Sequence, residues 1–314
     1  MGRVTAIAYV RYQAPDLSLA EEFFTDFGLV PTSRSPSALY MRGTGSDHHI
    51  HITEIGEEAK GIGIGLRVGS REDLEVIAAR AGTDIKDSDE PGGGIMTILT
   101  DPNGFRVDII YGDERAEPLP VRSPLSFNTA ATNTRLGSTQ RPERGPSHVV
   151  RIEHAVLAGP NFDQALEFYQ SLLGFEISDS IYFGAPEARV VAFLHCGLGS
   201  TFTDHHTVAL IRNAETAVEH SAFVTLDWDD LMLGHEHLKS KGRYHEWGVG
   251  RHIMGSEVFD YWRDPFGNKV EHCFDGDMVN DSYVPGNIPA DGDIMAVWSP
   301  PISETFGLIK AGTN

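Results

Sequence analysis

Two histidines, each preceded by glutamate, stand at matching places in the chain. Glu153-His154 and Glu219-His220 lie 66 residues apart, and each opens an apolar strand pattern that runs on into a helical one. Histidine placement is lopsided: only His48, His49 and His51 precede residue 148, and the other eleven of 14 lie at 148 or later. Imidazole is the commonest metal ligand in proteins, and two imidazoles with one carboxylate on one face of an ion suit non-haem Fe(II) with positions left open. The carboxylate in step with the two histidines is Glu271, in the strand pattern Val-Glu-His-Cys that follows the Asp-Pro-Phe-Gly turn at 264–267. Taken singly, each of the three reads as a hydrogen-bonded strand histidine or a surface acid. The pairing of the two Glu-His units with Glu271 is what makes them a candidate site.

The elements that must position these residues show themselves as repeats. Residues 6–24 parallel 152–169: an apolar strand, a Pro-containing turn, then an amphipathic helix. Asp16 and Asn161 stand where a side chain caps free backbone N–H groups. Ala20, Phe23, Phe24 and Phe27 make a helical stripe that Ala165, Phe168, Tyr169 and Leu172 repeat, and Gly28 and Gly174 close the two helices. DPNGFRVDIIYGD (101–113) parallels DPFGNKVEHCFDGD (264–277), a Pro-Gly turn leading into a strand. Helices are expected at 163–173 and 230–241, and residues 61–80 look like the corresponding second unit of the first half. The chain therefore reads as four strand–helix–strands modules, two per half. Residues 114–147 form a linker or an extended surface wrap, and the Gly-, Pro- and Asp-rich tail from 276 packs irregularly.

The duplication serves as an internal control. It lays His154 on Tyr9, His220 near Gly63 and Glu271 on Asp108, so only the C-terminal half offers the full ligand set. DHHIHI (47–52) falls on DHHTVA (204–209), and His48, His49 and His51 read as a relic of the duplication rather than a metal site. Of the adjacent pair His205 and His206, strand register decides which faces a site, because neighbours point opposite ways. His252 follows Gly250 and Arg251 in what reads as a loop. His195, His235, His237, His245 and His272 read as surface or supporting groups, Asp260 as a supporting group at most, and Cys196 and Cys273 as small buried residues. The glycines of 61–69 lack the lysine and the strand-to-helix placement of a phosphate loop.

GRHIMGSEVFDYWRDPFGNKVEH (250–272) resembles the signature region of type I extradiol dioxygenases of the vicinal oxygen chelate superfamily. The matched positions are His252, Tyr261, the turn Asp264 to Gly267, and Glu271, with His154 and His220 as the strand histidines of the third and fourth modules. The segment 204–210 resembles the family's catalytic-histidine strand, with His206 the better match. The resemblance covers about 1–275 and is strong over 150–275. It implies an α+β fold of two similar domains, each of two βαβββ modules forming a curled mixed sheet around a central cavity. The expected boundaries are 1–135 for a degenerate domain, 146–290 for the catalytic one and 291–314 for a tail. It further implies Fe(2+) on His154, His220 and Glu271, with Mn(2+) able to occupy the same ligands, and O2 as co-substrate. His206, His252 and Tyr261 become the catalytic residues. His206 stabilises reduced oxygen and moves a proton, while His252 and Tyr261 hydrogen-bond the substrate oxygens. The reaction implied is meta-cleavage of a catechol in aromatic degradation, with a substituted monocyclic catechol ahead of a bicyclic diol and a homo-oligomer as the assembly.

Composition bounds the remaining classes. Forty-five acidic against 25 basic residues give a net charge of −20, which disfavours nucleic acid and anionic membrane surfaces as partners. Two cysteines build no disulfide framework, the N-terminus lacks a signal-peptide pattern, and no apolar run reaches a membrane span, so a cytoplasmic protein is expected. Three alternatives share the fold. A 4-hydroxyphenylpyruvate-dioxygenase-like enzyme needs a helical C-terminal gate, a glyoxalase-type isomerase draws ligands from both halves, and a sequestering module needs no ligands.

Overall fold

The computed structural model describes residues 2–291 and 294–311; within the tail expected at 291–314, residues 292, 293 and 312–314 lie outside the described set. The first half forms one eight-stranded mixed sheet. Its first module is β1 (Val4–Ala14), α1 (Leu17–Phe27), β2 (Val30–Arg34), β3 (Ala38–Arg42) and β4 (His51–Ile55). The second is β5 (Lys60–Val68), α2 (Arg71–Ala81), β6 (Lys86–Asp87), β7 (Ile95–Thr100) and β8 (Arg106–Tyr111). The strand order β2-β3-β4-β1-β5-β8-β7-β6 joins the modules through antiparallel β1 and β5.

The second half repeats this. One module comprises β9 (Val149–Gly159), α3 (Phe162–Glu167), β10 (Phe175–Tyr182), β11 (Arg189–Cys196), β12 (Thr203–Asp204) and β13 (Val208–Arg212). The other comprises β14 (Ala217–Thr225), α4 (Trp228–Ser240), β15 (Tyr244–His252), β16 (Val258–Arg263) and β17 (Lys269–Phe274). The tail does not pack irregularly as its composition suggested. It adds β18 (Met278–Val279) beside β12, β19 (Gly286–Pro289) beside β10 and β20 (Ala296–Trp298) beside β15, so the ten-stranded sheet gains a strand at each edge. Backbone pairing at a sheet edge depends little on side chains, which is why hydropathy patterning concealed it.

Local chemistry explains the helices. Asp16 accepts hydrogen bonds from the N–H groups of Ser18 and Leu19 at 2.8 and 3.1 Å, and Ala20, Phe23, Phe24 and Phe27 are buried. Gly28 turns the chain at φ 109°, and a Cβ there would lie 2.1 Å from the Ser147 carbonyl oxygen, so no other residue fits. The repeat is less faithful at α3. Asn161 makes no side-chain cap; its Nδ2 donates instead to the Pro102 carbonyl, and its N–H to Asn103 Oδ1, tying this corner to the Asp-Pro-Asn-Gly turn of the first half. Residues 168–172 then form a π turn, whose extra residue rotates the stripe so that Leu173 rather than Leu172 is buried.

The halves share a single core. Phe27 stacks on His272 with ring centroids 3.8 Å apart, and His272 Nε2 donates to the Phe27 carbonyl at 2.7 Å. His272, read from sequence as a surface or supporting group, is a fully buried clasp between the halves. Segment 114–147 does wrap the surface: Leu119 N–H bonds the Thr44 carbonyl, and Arg122 pairs with Asp227, the N-cap of α4, at 2.5 Å. Among the described residues, no helix is long and apolar enough to cross a membrane.

His51 lies wholly buried between Tyr12 and Phe24 with Nε2 2.9 Å from Thr53 Oγ1, and burial holds its pKa down to about 3. The unfolded chain takes up this proton near pH 6.5 and the folded chain refuses it, so stability falls as pH drops below about 6.5. At about 1.4 kcal/mol per pH unit, the loss at pH 5 comes to about 2 kcal/mol. His51→Gln is expected to shrink the difference in urea-unfolding free energy between pH 7 and pH 5 by about that amount. An unchanged difference would place the acid sensitivity elsewhere.

Candidate metal centre

Three adjacent strands in the middle of the ten-stranded sheet set the geometry. His154 on β9 lies opposite Ala222 on β14, which lies opposite Glu271 on β17. His220 stands two residues before Ala222 and so shares its face. His154, His220 and Glu271 therefore project from one side of the sheet and are 1%, 8% and 0% exposed. Their donor atoms meet: His154 Nε2 lies 3.3 Å from His220 Nε2, and Glu271 Oε2 lies 3.2 Å from His220 Nε2 and 3.6 Å from His154 Nε2.

The glutamates of the two Glu-His pairs reach the same side because each sits on a β-bulge. Pairing of β9 with β14 slips between Val218 and His220 and again across Glu153, so each glutamate is an unpaired residue beside its histidine. Glu219 accepts from His220 Nδ1 and pairs with the buried Lys269, whose ammonium also donates to the Phe306 carbonyl at 2.7 Å. Glu153 lies 3.6 Å from His154 Nδ1 and accepts from Cys273 Sγ at 3.1 Å. Carboxylates behind the imidazoles fix ring orientation and raise ligand basicity.

Electrostatics mark the cluster as one that needs positive charge. Burial alone would raise the Glu271 carboxyl, but hydrogen-bonding contact with His154 and His220 and their charge outweigh it and hold the group well below its ordinary range. Burial alone would lower His154, and the carboxylates of Glu257, Glu153 and Glu271 hold it well above instead. Despite these contacts neither oxygen of Glu271 has an aligned hydrogen-bond partner. A buried carboxylate without donors is costly, and a divalent cation removes that cost. Bonds of about 2.1 Å to an ion place neighbouring ligand atoms about 3 Å apart, close to the spacing found here. The donor set fits a metal.

The remaining sequence candidates converge on the same cavity of about 120 Å³. His206 packs on His154 with ring centroids 4.0 Å apart, and burial together with neighbouring imidazoles holds it well below the ordinary histidine value, hence neutral. His205 turns away from the cavity toward Asp179. His252 is not in a loop; it ends β15, where its Nδ1 donates to the Met295 carbonyl at 2.8 Å. A neutral His252 then offers a bare Nε2, to which the Tyr261 hydroxyl donates at 2.9 Å. Burial, and after it the charge of Glu271, pushes the Tyr261 phenol well above its usual value, so it stays protonated.

Four of the lining residues that sequence reasoning missed bear directly on the site. Ile294, Met295 and Phe306 come from the tail, whose role no spacing betrays. Glu257 lies 3.6 Å from His206 Nδ1, and burial plus the charge of Glu153 push its carboxyl well up. Its only sequence signal was an acid next to an apolar strand. Asp260 proves to be a structural hub on the opposite face. Oδ1 accepts from His245 at 2.8 Å, Oδ2 from Trp262 Nε1 at 2.7 Å, and His235 Nδ1 reaches both oxygens at 3.1 Å. That cluster has metal-like donor spacing but no orphaned oxygen, in contrast to Glu271. His195 is buried against Ser178, and His237 pairs with Asp26.

The first half repeats the frame and fills it differently. Tyr9, Gly65 and Asp108 face one another as His154, Ala222 and Glu271 do, which puts Gly63 at the place of His220. A Cβ at Gly63 would lie 2.3 Å from the Arg106 carbonyl oxygen, so no ligand could stand there without moving β8. Arg11 and the Tyr9 hydroxyl contact Asp108 instead, and Arg11 also pairs with Glu54 and Glu90. His48, His49 and His51 join no cluster with metal spacing among the described residues.

Residues 151–272 match the Glyoxalase/Bleomycin resistance protein/Dioxygenase superfamily. The chain is 28% identical to Metapyrocatechase 2 of Cupriavidus necator over 312 residues, 96% of this chain and 91% of that protein. Among solved structures, the Mn(II)-bound glyoxalase of Novosphingobium aromaticivorans superposes with a TM-score of 0.78 at 24% identity, covering 96% of this chain and 93% of that one. Homoprotocatechuate 2,3-dioxygenase of Brevibacterium fuscum, in complex with 3,4-dihydroxyphenylacetate, gives 0.77 at 20% identity, covering 97% and 92%. The fold is the vicinal oxygen chelate fold.

The cluster of His154, His220 and Glu271 is expected to hold one divalent ion per chain, measured as metal content after anaerobic reconstitution and gel filtration. His220→Ala should reduce retained metal at least about tenfold, while Tyr9→Phe should leave it at one. Metal lost from both variants alike would relocate the site.

Proposed function

We propose that the protein is an extradiol dioxygenase that uses O2 to cleave a catechol ring beside its two hydroxyls. The observation that carries this reading is the meeting of two cavity-lining imidazoles with an orphaned buried carboxylate beside a largely apolar cavity. In it His154, His220 and Glu271 hold a divalent ion, Fe(2+) by the preference of a two-histidine, one-carboxylate set that leaves positions open, with Mn(2+) as the alternative. When bound, that ion supplies Lewis acidity toward the diol and a path for electron density from ring to dioxygen.

The chain's own residues supply the rest. Tyr261, a phenol that stays protonated, turns its one hydrogen from His252 Nε2 to a diol oxygen when the diol enters, and favours the anionic form of that oxygen. His252, held by the Met295 carbonyl and stacked on Phe259, fixes the position of Tyr261 and the approach of the ring. His206, neutral and walled by His154 and Phe193, takes a proton from the second hydroxyl and returns it as oxygen enters the ring. Val156, Ile181, Val191, Ile211 and Met254 exclude water around the ring's far edge.

This lining also supports a substrate class. Among the described residues the cavity wall contains no lysine or arginine, so a carboxylate on the ring would be desolvated without a partner. A catechol with an uncharged apolar substituent fits, and a monocyclic one fits the volume. Anaerobic loading with Fe(2+), followed by air and a panel of catechols, should give yellow ring-fission products with matched oxygen uptake. Alkyl- or halocatechols should exceed carboxylated catechols in kcat/KM by at least about 100-fold, a difference of about 3 kcal/mol. Absence of any oxygen-dependent product would remove the enzymatic reading, and parity of carboxylated substrates would remove the substrate class.

A further inference from the structure

Behind His206 runs a row of polar groups that the reaction described above does not use. Residues 205–207 lie between β12 and β13, and the backbone of His205 is pinned on both sides: its N–H donates to the Asp277 carbonyl at 2.9 Å, and its carbonyl accepts from Ser178. In this pose the Nδ1 atoms of His205 and His206 meet at 3.2 Å. On the far side of the His205 ring, Nε2 lies 2.9 Å from Asp179 Oδ2. Gly255 closes over the same ring, and a Cβ there would come within 3.2 Å of His205 Nδ1.

The polarity of the row follows from Asp179. Its Oδ1 accepts the Gly286 N–H at 2.6 Å, and its Oδ2 also accepts from the Tyr283 hydroxyl at 3.2 Å. A carboxylate only accepts, so His205 carries its hydrogen on Nε2. With that as its one ring hydrogen, His205 presents a bare lone pair at Nδ1, which only an N–H can face. His206 must place its hydrogen on Nδ1. The second neighbour of that atom, Glu257 Oε1, lies 3.6 Å away, beyond hydrogen-bond reach. The side chains of His205 and His206 are 0% and 5% exposed, so water does not supply a competing partner.

We propose that Asp179 and His205 are positioning residues that fix the tautomer of His206, leaving its cavity-side nitrogen Nε2 unprotonated when substrate enters. In that state Nε2 accepts the proton of a diol hydroxyl: the O–H bond breaks, the Nε2–H bond forms, and the electron pair stays on oxygen. The proposal rests on the ring-cleavage reading for its catalytic consequence but not for the tautomer itself. It also assigns work to the tail, because Gly286 and Tyr283 orient the carboxylate. A side chain at Gly286 would collide with Asp179 Oδ1 at 2.5 Å.

Asp179→Asn reverses the row without changing its shape. The Gly286 N–H keeps the amide oxygen on its side, which turns the NH2 toward His205 Nε2. His205 then carries its hydrogen on Nδ1, and His206 on Nε2. Two readouts follow. Long-range 1H–15N spectra of the zinc-loaded protein should show His206 protonated on Nδ1 in the wild type and on Nε2 in the variant. In the iron-loaded enzyme, kcat should fall about 100-fold with KM within about threefold, and in a His206→Asn background the same substitution should cost nothing further. His205→Phe, which leaves the Asp179–Gly286 bond alone, should reproduce the kcat loss if Asp179→Asn folds poorly. A wild-type His206 protonated on Nε2, or losses that add in the double variant, would overturn the proposal. A wild type that shows the expected tautomer but turns over no catechol would instead remove the dioxygenase reading and leave the row standing.

Discussion

Glu271 is a carboxylate at a point that water does not reach, with no hydrogen-bond donor aligned to either oxygen. Taking such a charge out of water costs several kcal/mol unless opposite charge is brought to it. The architecture around it reads as the means of doing so. Placing β9, β14 and β17 side by side brings two imidazoles to that carboxylate from residues 51 to 117 positions away in sequence. Two bulges add glutamates behind the imidazoles, and the bulk of the core serves to keep the strand register that makes these meetings possible.

The first half solves the same problem without a ligand. Its frame is the same down to the bulges, where Ala8 and Ile62 occupy the places of Glu153 and Glu219. Asp108 stands where Glu271 does, and the compensating charge is the guanidinium of Arg11, a residue whose counterpart in the second half is the cavity-lining Val156. A covalently tethered cation on a rigid strand cannot leave and offers no open position to a substrate. The same fold thus holds a closed ion-pair centre in one half and a cluster with metal-like donor spacing in the other. The choice is made by a handful of residues: Tyr9 for His154, Gly63 for His220, Arg11 for Val156.

Much of this could be read in the sequence because the signals were local and doubled. Two Asp-Pro-x-Gly turns, two matching helix stripes and two Glu-His pairs each constrain the others, and together they fixed the register that places His154, His220 and Glu271 on one face. What stayed hidden depended on partners distant in sequence. The π turn at 168–172 follows from packing rather than from composition. The strands of the tail pair through backbone atoms and leave no periodicity. His272 looks like any strand histidine until Phe27 is laid against it. His252 seemed to sit in a loop because Gly248 and Gly250 interrupt the alternation, yet their missing side chains are what allow β15 to run beside β16: a Cβ at Gly250 would strike the Phe259 ring at 2.3 Å.

The tail then takes on a different meaning from the one its composition suggests. Its backbone carbonyl at Met295 sets the donor and acceptor sides of His252, its Phe306 carbonyl holds Lys269 against Glu219, and its Gly286 N–H orients Asp179. Each contact is made by a main-chain atom, so the backbone rather than the residue type sets the hydrogen-bond directions. Three imidazoles of the cavity (His220, His252 and His206) are thereby connected to residues 286–306 through two intervening bonds, one direct bond, or a short row. Rings that must present one particular nitrogen to a substrate need their other nitrogen committed, and a carbonyl or amide of the chain is the partner least able to change its mind about which way the hydrogen points.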